Sequence, residues 1–264
     1  MDGIVEMLLD ATQHYDRPLS DDRLFGWHNV LFPTGRGGLY TIEVGKYRSG
    51  EMRVTSGPLG YEAPEPERVP EEMHRFIDWV NAHDHTDPVL RAAIAHLWFV
   101  SIHPFDDGNG RITRAITDML LARSEHSSKR FYSMSNEMKI LQKEYYEVLE
   151  KTQKGDGDIT AWLLWFLECF DRALSSTEET LASALAKACF WENHRDVQVN
   201  ERQRKIINMQ FDGFFGKLTS GKWAKIGNCS SDTALNDIND LVAKCILRKN
   251  EEGGRSTNYS LVTS

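Results

Sequence analysis

The sequence has no long uncharged apolar run. Its most apolar stretch, residues 89–102, is interrupted by Arg91 and His96 and is too short to span a bilayer. Met1 is followed by Asp2 and an acidic amphipathic segment instead of a basic, then apolar, leader, so no secretory signal is visible and the expected location is the cytoplasm. Cysteine is scarce. Cys169, Cys189, Cys229 and Cys245 lie far apart, with neither a C-x-x-C pair nor a metal-ligand spacing, which excludes a disulfide scaffold and points to reduced structural thiols. No internal repeat or low-complexity tract occurs. Basic residues are outnumbered, 31 Lys+Arg against 39 Asp+Glu for a net charge of −8, which argues against a chain that binds nucleic acid along its whole length. What is present, 41% hydrophobic and 10% aromatic residues in 264, is enough to bury a sizeable core.

The charge is unevenly spread. Residues 196–264 hold 10 Lys+Arg and 8 Asp+Glu, so the remaining residues 1–195 carry a net −10. The asymmetry suggests two modules, 1–195 and 196–264. Apolar spacing in the first is mostly helical. Asp2 can cap a helix with Ile4, Val5, Leu8 and Leu9 on one face, and Ser20 a second with Leu24, Trp27, Val30 and Leu31 inward. Alternation at Tyr40, Ile42 and Val44, a turn at Ser49-Gly50, and alternation again at Met52 and Val54 predict a hairpin. Pro58, Pro64, Pro66 and Pro70 predict an extended loop. Val69, Met73, Phe76, Ile77 and Val80 follow at helical spacing. Asp87-Pro88 starts a helix that is apolar nearly all round and therefore central, another follows Gly110, Ser135 caps a third reaching about Thr152, and Asp158 a long one. The last module reads helix, short helix, helix capped at Ser230 or Ser231, then a hairpin from Ile246-Leu247 to Tyr259-Leu261. That is the order of a winged helix-turn-helix.

Between the two central helices lies H-P-F-D-D-G-N-G-R-I-T-R, residues 103–114. Gly108 and Gly110 on either side of Asn109 let successive backbone N–H groups turn inward as an anion nest, to which the following helix adds its positive end. Arg111 and Arg114, three apart, can share a face and meet phosphate oxygens. Asp107 offers the hard oxygen that Mg²⁺ prefers when phosphates supply its other ligands. His103 titrates near neutrality and can take a proton. Singly, each part has an ordinary explanation as a turn, a solvated helix face, a cap or a packed imidazole. Their joint occurrence in twelve residues suggests nucleotide chemistry.

The string also matches, position for position, the signature of the Fic family, H-P-F-x-[D/E]-G-N-G-R-x-x-R, and the resemblance runs from about Ile4 to His194. It implies a Fic-type helical bundle with a β-hairpin flap. The tail resembles the winged helix that ends one branch of bacterial Fic proteins. The resemblance implies nucleotidyl transfer, most often of AMP from ATP with Mg²⁺ to a Tyr, Thr or Ser hydroxyl of a target protein, this chain included, with pyrophosphate leaving. Carried over, His103 is the general base and Asp107 the magnesium ligand. Gly108, Asn109 and Gly110 cradle phosphates through their amides with support from Arg111, Arg114 meets the γ-phosphate, and Phe105 anchors the loop in the core. Tyr145 is the adenosine-side contact, beside Tyr146, and Ser56-Gly57 at the flap approaches the nucleotide from the other side. The family's inhibitory pattern, [S/T]-x-x-x-E-[G/N], is not met at Glu192-Asn193 or Glu252-Gly253, because Ala188 and Arg248 stand four residues earlier. Self-inhibition in cis is therefore expected to be absent.

Alternatives stay open at this stage. Other Fic relatives use different donors or remove AMP, and the motif reads phosphates better than it reads a base. A regulator whose Fic domain senses nucleotide is another possibility, with Lys222, Lys225, Arg248, Lys249 and Arg255 as candidate DNA-phosphate contacts. Against DNA stand Asp232, Asp237 and Asp240 on the third helix of the module, so protein contact or homodimerisation is the competing role. His83 and His85 lack a third ligand at a metal spacing and read as a polar loop, while His96, seven before His103, either orients it or packs in the core.

Overall fold

The computed structural model describes residues 2–54, 60–214, 216–250 and 257–262. It is mostly helical, as expected, and its contacts divide it into two units at Ser176 and Thr177, inside a long helix. The charge step that suggested a boundary at 195/196 falls just after that helix ends.

In the first unit, α1 (Asp2–Gln13) and α2 (Asp21–Leu31) precede the β elements, and α3 (Val69–Asn81) follows them. The central pair is α4 (Pro88–Ile102) and α5 (Asn109–Glu125), the most extensively packed helices of the unit. The side chain of Asp87 caps α4 by accepting from the N–H groups of Val89 (2.9 Å) and Leu90 (3.1 Å), and Pro88 sits where no N–H is needed. Nine of the 15 residues of α4 are buried, including Arg91 and His96, which is why it lacks a polar face. The start of α8 (Thr160–Asn193) closes the core, with the Trp162 Nε1–H donating to the Ala93 carbonyl at 2.8 Å.

Several expectations are corrected. On α1 the buried stripe is Met7 and Ala11, whereas Val5 is 55% and Leu9 47% exposed and Ile4 is also exposed. The α1 face that packs on α5 and α2 carries Met7 and Ala11, one turn apart, instead of the most apolar positions. The third helix is capped by Ser133, not Ser135, and breaks at Leu141 into α6 (Met134–Ile140) and α7 (Gln142–Gln153). The hairpin across Ser49-Gly50 does not form. Instead β1 (Arg36–Gly37) pairs with β2 (Tyr40–Thr41), and β3 (Arg53–Val54) with β4 (Tyr61–Glu62), of which β4 alone lies inside the proline-containing stretch expected to be an extended loop. Residues 43–48 fail to pair with each other because the chain beside the motif claims their hydrogen bonds.

The second unit takes in the C-terminal part of α8, then α9 (Glu201–Phe211), α10 (Ser220–Gly227), α11 (Ser231–Ala243) and a ladder of β5 (Leu247–Lys249) with β6 (Tyr259–Leu261). Leu218 bridges to Tyr259. Asn200 and Gln203 form a capping box on α9, and Thr219 and Ser230 cap α10 and α11. The core is Phe190, Ile206, Ile207, Trp223, Ile238, Leu241 and their neighbours. Among the described residues no helix is long and apolar enough to cross a membrane, and all four cysteines are free.

Replacing Trp162 by Phe removes the donor to the buried Ala93 carbonyl and should lower unfolding free energy by about 1–3 kcal/mol, read by chemical denaturation. A change within experimental error contradicts a structural role for that bond.

Candidate active site

Helix α4 ends on His103, whose φ of 50° and ψ of 58° place it in the left-handed region while its N–H still closes the last turn on Phe99. That conformation is uncommon for a residue with a Cβ and reverses the chain at once. The loop then runs five residues to Gly108, the N-cap of α5 at φ 84°. A Cβ on Gly108 would lie 2.9 Å from the Phe32 ring, so both backbone and packing require glycine there. Asn109 is buried and staples the loop, its Oδ1 accepting from the Phe105 N–H (3.0 Å) and its Nδ2 donating to the Phe105 carbonyl (2.6 Å). Phe105 is fully buried, which is the anchoring role expected of it.

The His103 imidazole has one nitrogen committed. Nδ1 lies 3.2 Å from the Val100 carbonyl, which can only accept, so Nδ1 carries the proton and Nε2 presents its lone pair. Burial lowers the His103 pKa, and the nearby Arg48 charge acts in the same direction. The ring is therefore neutral at pH 7 and able to accept a proton.

Asp107 is exposed at the start of α5. Its Oδ1 accepts from the Gly108 N–H (2.5 Å) and approaches Arg111 Nη2 at 3.4 Å, while Oδ2 accepts no hydrogen bond among the described residues. A Cβ on Gly37 would come within 3.0 Å of Oδ2, so a glycine keeps that side of the carboxylate open. An open hard-oxygen ligand next to a helix N-terminus fits a Mg²⁺ whose other ligands come from phosphates and water. Among the described residues no three His, Cys, Asp or Glu side chains are grouped to hold an ion by themselves. Arg111 lies over the Phe32 ring at 4.7 Å. Arg114, half-buried one turn further on, makes no hydrogen bond or ion pair among the described residues, and its charge reaches His96, Asp118 and Tyr145.

The motif side chains are thus gathered at one end of the α4–α5 pair. Tyr145 bonds to His96 and lies within reach of the Arg114 charge. It lies on α7, 3.1 Å from His96 Nε2, while His96 Nδ1 lies 2.9 Å from Thr117 Oγ1. Because the Thr117 hydroxyl already donates to the Thr113 carbonyl, His96 donates through Nδ1 and accepts the Tyr145 proton at Nε2. His96 therefore serves Tyr145 and not His103. Ser56 and Gly57 lie outside the described residues. His83 lines a cavity of about 550 Å³ with Arg91 and Arg123, away from the motif. Two residues that sequence reasoning missed, His28 and Arg48, hold the loop from below; their bonds to it join residues 55–79 positions apart, which leaves no local signal.

The fold is a helical bundle whose central pair, α4 and α5, is joined by a tight turn through His103 and Gly108. Residues 18–121 match the model of the Fic/DOC family. It is 31% identical over 144 residues to a protein named Protein adenylyltransferase Fic from Nematostella vectensis, an alignment covering 53% of this chain and 30% of that one. It is 40% identical over 79 residues to Protein adenylyltransferase fic-1 from Caenorhabditis elegans, covering 29% and 16%. The chain therefore spans less than a third of the length of these relatives. A Fic family protein from Desulfovibrio desulfuricans G20 has a similar fold, with a TM-score of 0.55 at 23% identity over 99% of this chain and 75% of its own.

Full burial, reinforced by the charge of Arg114, depresses the His96 pKa to about 3. The unfolded chain takes up a proton on this ring below about pH 6.5 and the folded chain does not, so stability falls as pH drops from about 6.5 toward 3. Between pH 7 and 5 the contribution is about 2 kcal/mol. Urea titrations of the wild type should show that slope and His96→Gln should lack it; equal slopes rule the assignment out.

Proposed function

We propose that the chain is a protein adenylyltransferase that moves AMP from ATP to a hydroxyl on a protein target. The observation that carries this reading is the imidazole of His103, neutral, with Nε2 free, at the same end of the bundle as the N-terminus of α5 and the open carboxylate of Asp107. The names of the relatives support it. In the reaction the target oxygen bonds to the α-phosphorus as the bond to the β-phosphate oxygen breaks. The hydroxyl proton passes to His103 Nε2, and pyrophosphate leaves. The amides of Gly108, Asn109 and Gly110 receive phosphate oxygens, Arg111 supports them, and Arg114 takes the γ-phosphate, for which its lack of a carboxylate partner leaves it available. Asp107 would hold Mg²⁺, which would supply charge neutralisation to the phosphates. Little covalent work falls to the protein, so positioning and fixed charge carry most of the rate. Tyr145 contributes on the adenosine side, and Ser56 with Gly57 at the flap complete the nucleotide site. The protein acts in the cytoplasm.

Residues 1–195 form the catalytic domain and 196–264 a winged helix-turn-helix in this reading. A second role for the tail, contact with DNA, is favoured by one observation. Asp237 is 6% exposed and bound by Arg202 and Asn200, and Asp240 is bound by Lys244 and Gln203, so two of the three acidic groups on α11 that argued against a phosphate backbone are already neutralised. Lys225, Arg248 and Lys249 lie in the described part of that module with Lys222, and Arg255 lies outside it. Homodimerisation through the same module is the alternative for it.

Incubating the pure chain with labelled ATP, CTP, GTP and UTP and Mg²⁺ should give covalent label from ATP on the chain itself. His103→Ala should abolish labelling while ATP·Mg²⁺ binding persists; lost binding with retained transfer reverses the assignment. Because the His103 pKa is lowered, the acid limb of kcat/KM should lie below pH 6.5, and a limb above that value excludes His103 as the base.

A further inference from the structure

The segment that fails to form a hairpin, residues 43–48, makes a row of bonds to the motif loop. The Glu43 N–H donates to Asp106 Oδ2 (3.0 Å), and the Arg48 N–H to the Pro104 carbonyl (2.9 Å). The Gly45 N–H donates to His28 Nδ1 at 3.2 Å. That bond settles the His28 tautomer, since Nδ1 accepts and Nε2–H is left to donate to the Asp107 carbonyl, 3.1 Å away. His28 is fully buried and stacks on Phe105, centroids 4.3 Å apart at 24°. It is thus a bridge from the segment to the backbone of Asp107, whose carboxylate is the one assigned to Mg²⁺ above.

Arg48 works on the other end of the loop. Only 3% exposed, it makes no ion pair among the described residues and spends its guanidinium on carbonyls. Nε donates to His103 (2.8 Å), Nη1 to Gly50 (2.7 Å), and Nη2 to Pro64 (2.5 Å) and, at 3.5 Å, Ile102. Two of those carbonyls, on Ile102 and His103, are at the C-terminus of α4, where helix geometry leaves acceptors unpaired and a cation is favoured. The fork also fixes the peptide plane after His103, and with it the left-handed backbone that aims the ring.

We propose that Arg48 and His28 are positioning residues for transfer, each governing one half of the loop: Arg48 sets the His103 imidazole through its carbonyl, and His28 sets Asp107 and the phosphate turn through the Asp107 carbonyl. The inference rests on the roles given to His103 and Asp107 above. It makes a claim that ordinary core packing does not, because the two residues must fail in different kinetic terms. Loss of the Arg48 fork misaims the base while nucleotide seating survives, so kcat falls. Loss of the His28 bridge loosens the metal carboxylate and the turn, so KM for ATP·Mg²⁺ rises.

The test uses the full chain, with transfer kinetics, calorimetric ATP·Mg²⁺ binding and thermal unfolding on each variant. Arg48→Lys keeps the charge but cannot fork. It should lower kcat on the order of a hundredfold, the scale of a misplacement near 1 Å, with ATP·Mg²⁺ affinity within threefold of wild type. His28→Leu should raise KM and Kd for ATP·Mg²⁺ on the order of tenfold, in the range seen when outer hydrogen-bond partners of metal ligands are removed, with a smaller change in kcat. His28→Gln, which can both donate and accept without charge, should recover most of that affinity. If Arg48→Lys does not fold, Arg48→Gln, which retains a donor for the His103 carbonyl, replaces it in the comparison. Parallel changes in kcat and KM that track lost thermal stability, with no recovery in His28→Gln, overturn the proposal. Absence of transfer by the wild type overturns the reading beneath it, whereas transfer by the wild type with no kinetic split overturns this inference alone.

Discussion

The site depends on how a mostly buried helix is made to end. Helix α4 is buried along most of its length, so its last carbonyls emerge where water cannot easily satisfy them. The chain answers with a left-handed cap at His103 and with the Arg48 guanidinium laid across the exposed acceptors. The partial negative charge at the end of α4 is offset by an internal cation. The partial positive charge at the start of α5, a few residues later, has no such internal partner beyond the Asp107 carboxylate. The two ends of adjacent helices are treated oppositely, and the one left open is the one suited to an anion.

That asymmetry explains what could be read from the sequence. The motif is local: twelve consecutive residues contain the cap, both glycines, the carboxylate and both arginines, so their chemistry was legible without coordinates. The helices were legible for a similar reason, since their caps at Ser20, Asp87 and Ser230 and their apolar periods are short-range signals. The β pairing was not. Alternation at residues 40–54 reported which side chains face inward but not which backbone partners are available, and the motif loop took the hydrogen bonds a local hairpin needed. Arg48 and His28 were invisible because nothing in the spacing of an isolated Arg or His encodes a carbonyl more than fifty residues away. On α1, the hydrophobic count favoured Ile4, Val5 and Leu9 over Met7 and Ala11. A periodic pattern locates a face, yet the choice between neighbouring stripes is made by the helices it meets.

Charge was misread from sequence in a comparable way. The net acidity of α11 argued against a phosphate partner, but formal charge says nothing about pairing. Asp237 is consumed by Arg202, Asn200 and Trp223, and Asp240 by Lys244 and Gln203, so both serve the packing of α11 on its own unit. Only the remaining outward groups bear on a partner, and among these Asp232 is exposed.

The same accounting applied to the motif end leaves a cationic surplus. Asp107 is shared between the Gly108 amide and a long contact with Arg111, Asp106 is turned to the Glu43 N–H, and Asp118 is drawn to Arg130 at 2.9 Å. Arg114 makes no ion pair among the described residues, and from its half-buried position its charge acts on Asp118 and helps to keep His96 neutral. A half-buried guanidinium outside any ion pair among the described residues is available to an approaching anion. On the proposed reading, a triphosphate with one divalent cation would meet Arg114, the α5 terminus and Asp107 together and would place its α-phosphorus beside His103. On that reading binding and alignment are one event, so the residues that hold the loop in register matter as much as those assigned to the nucleotide.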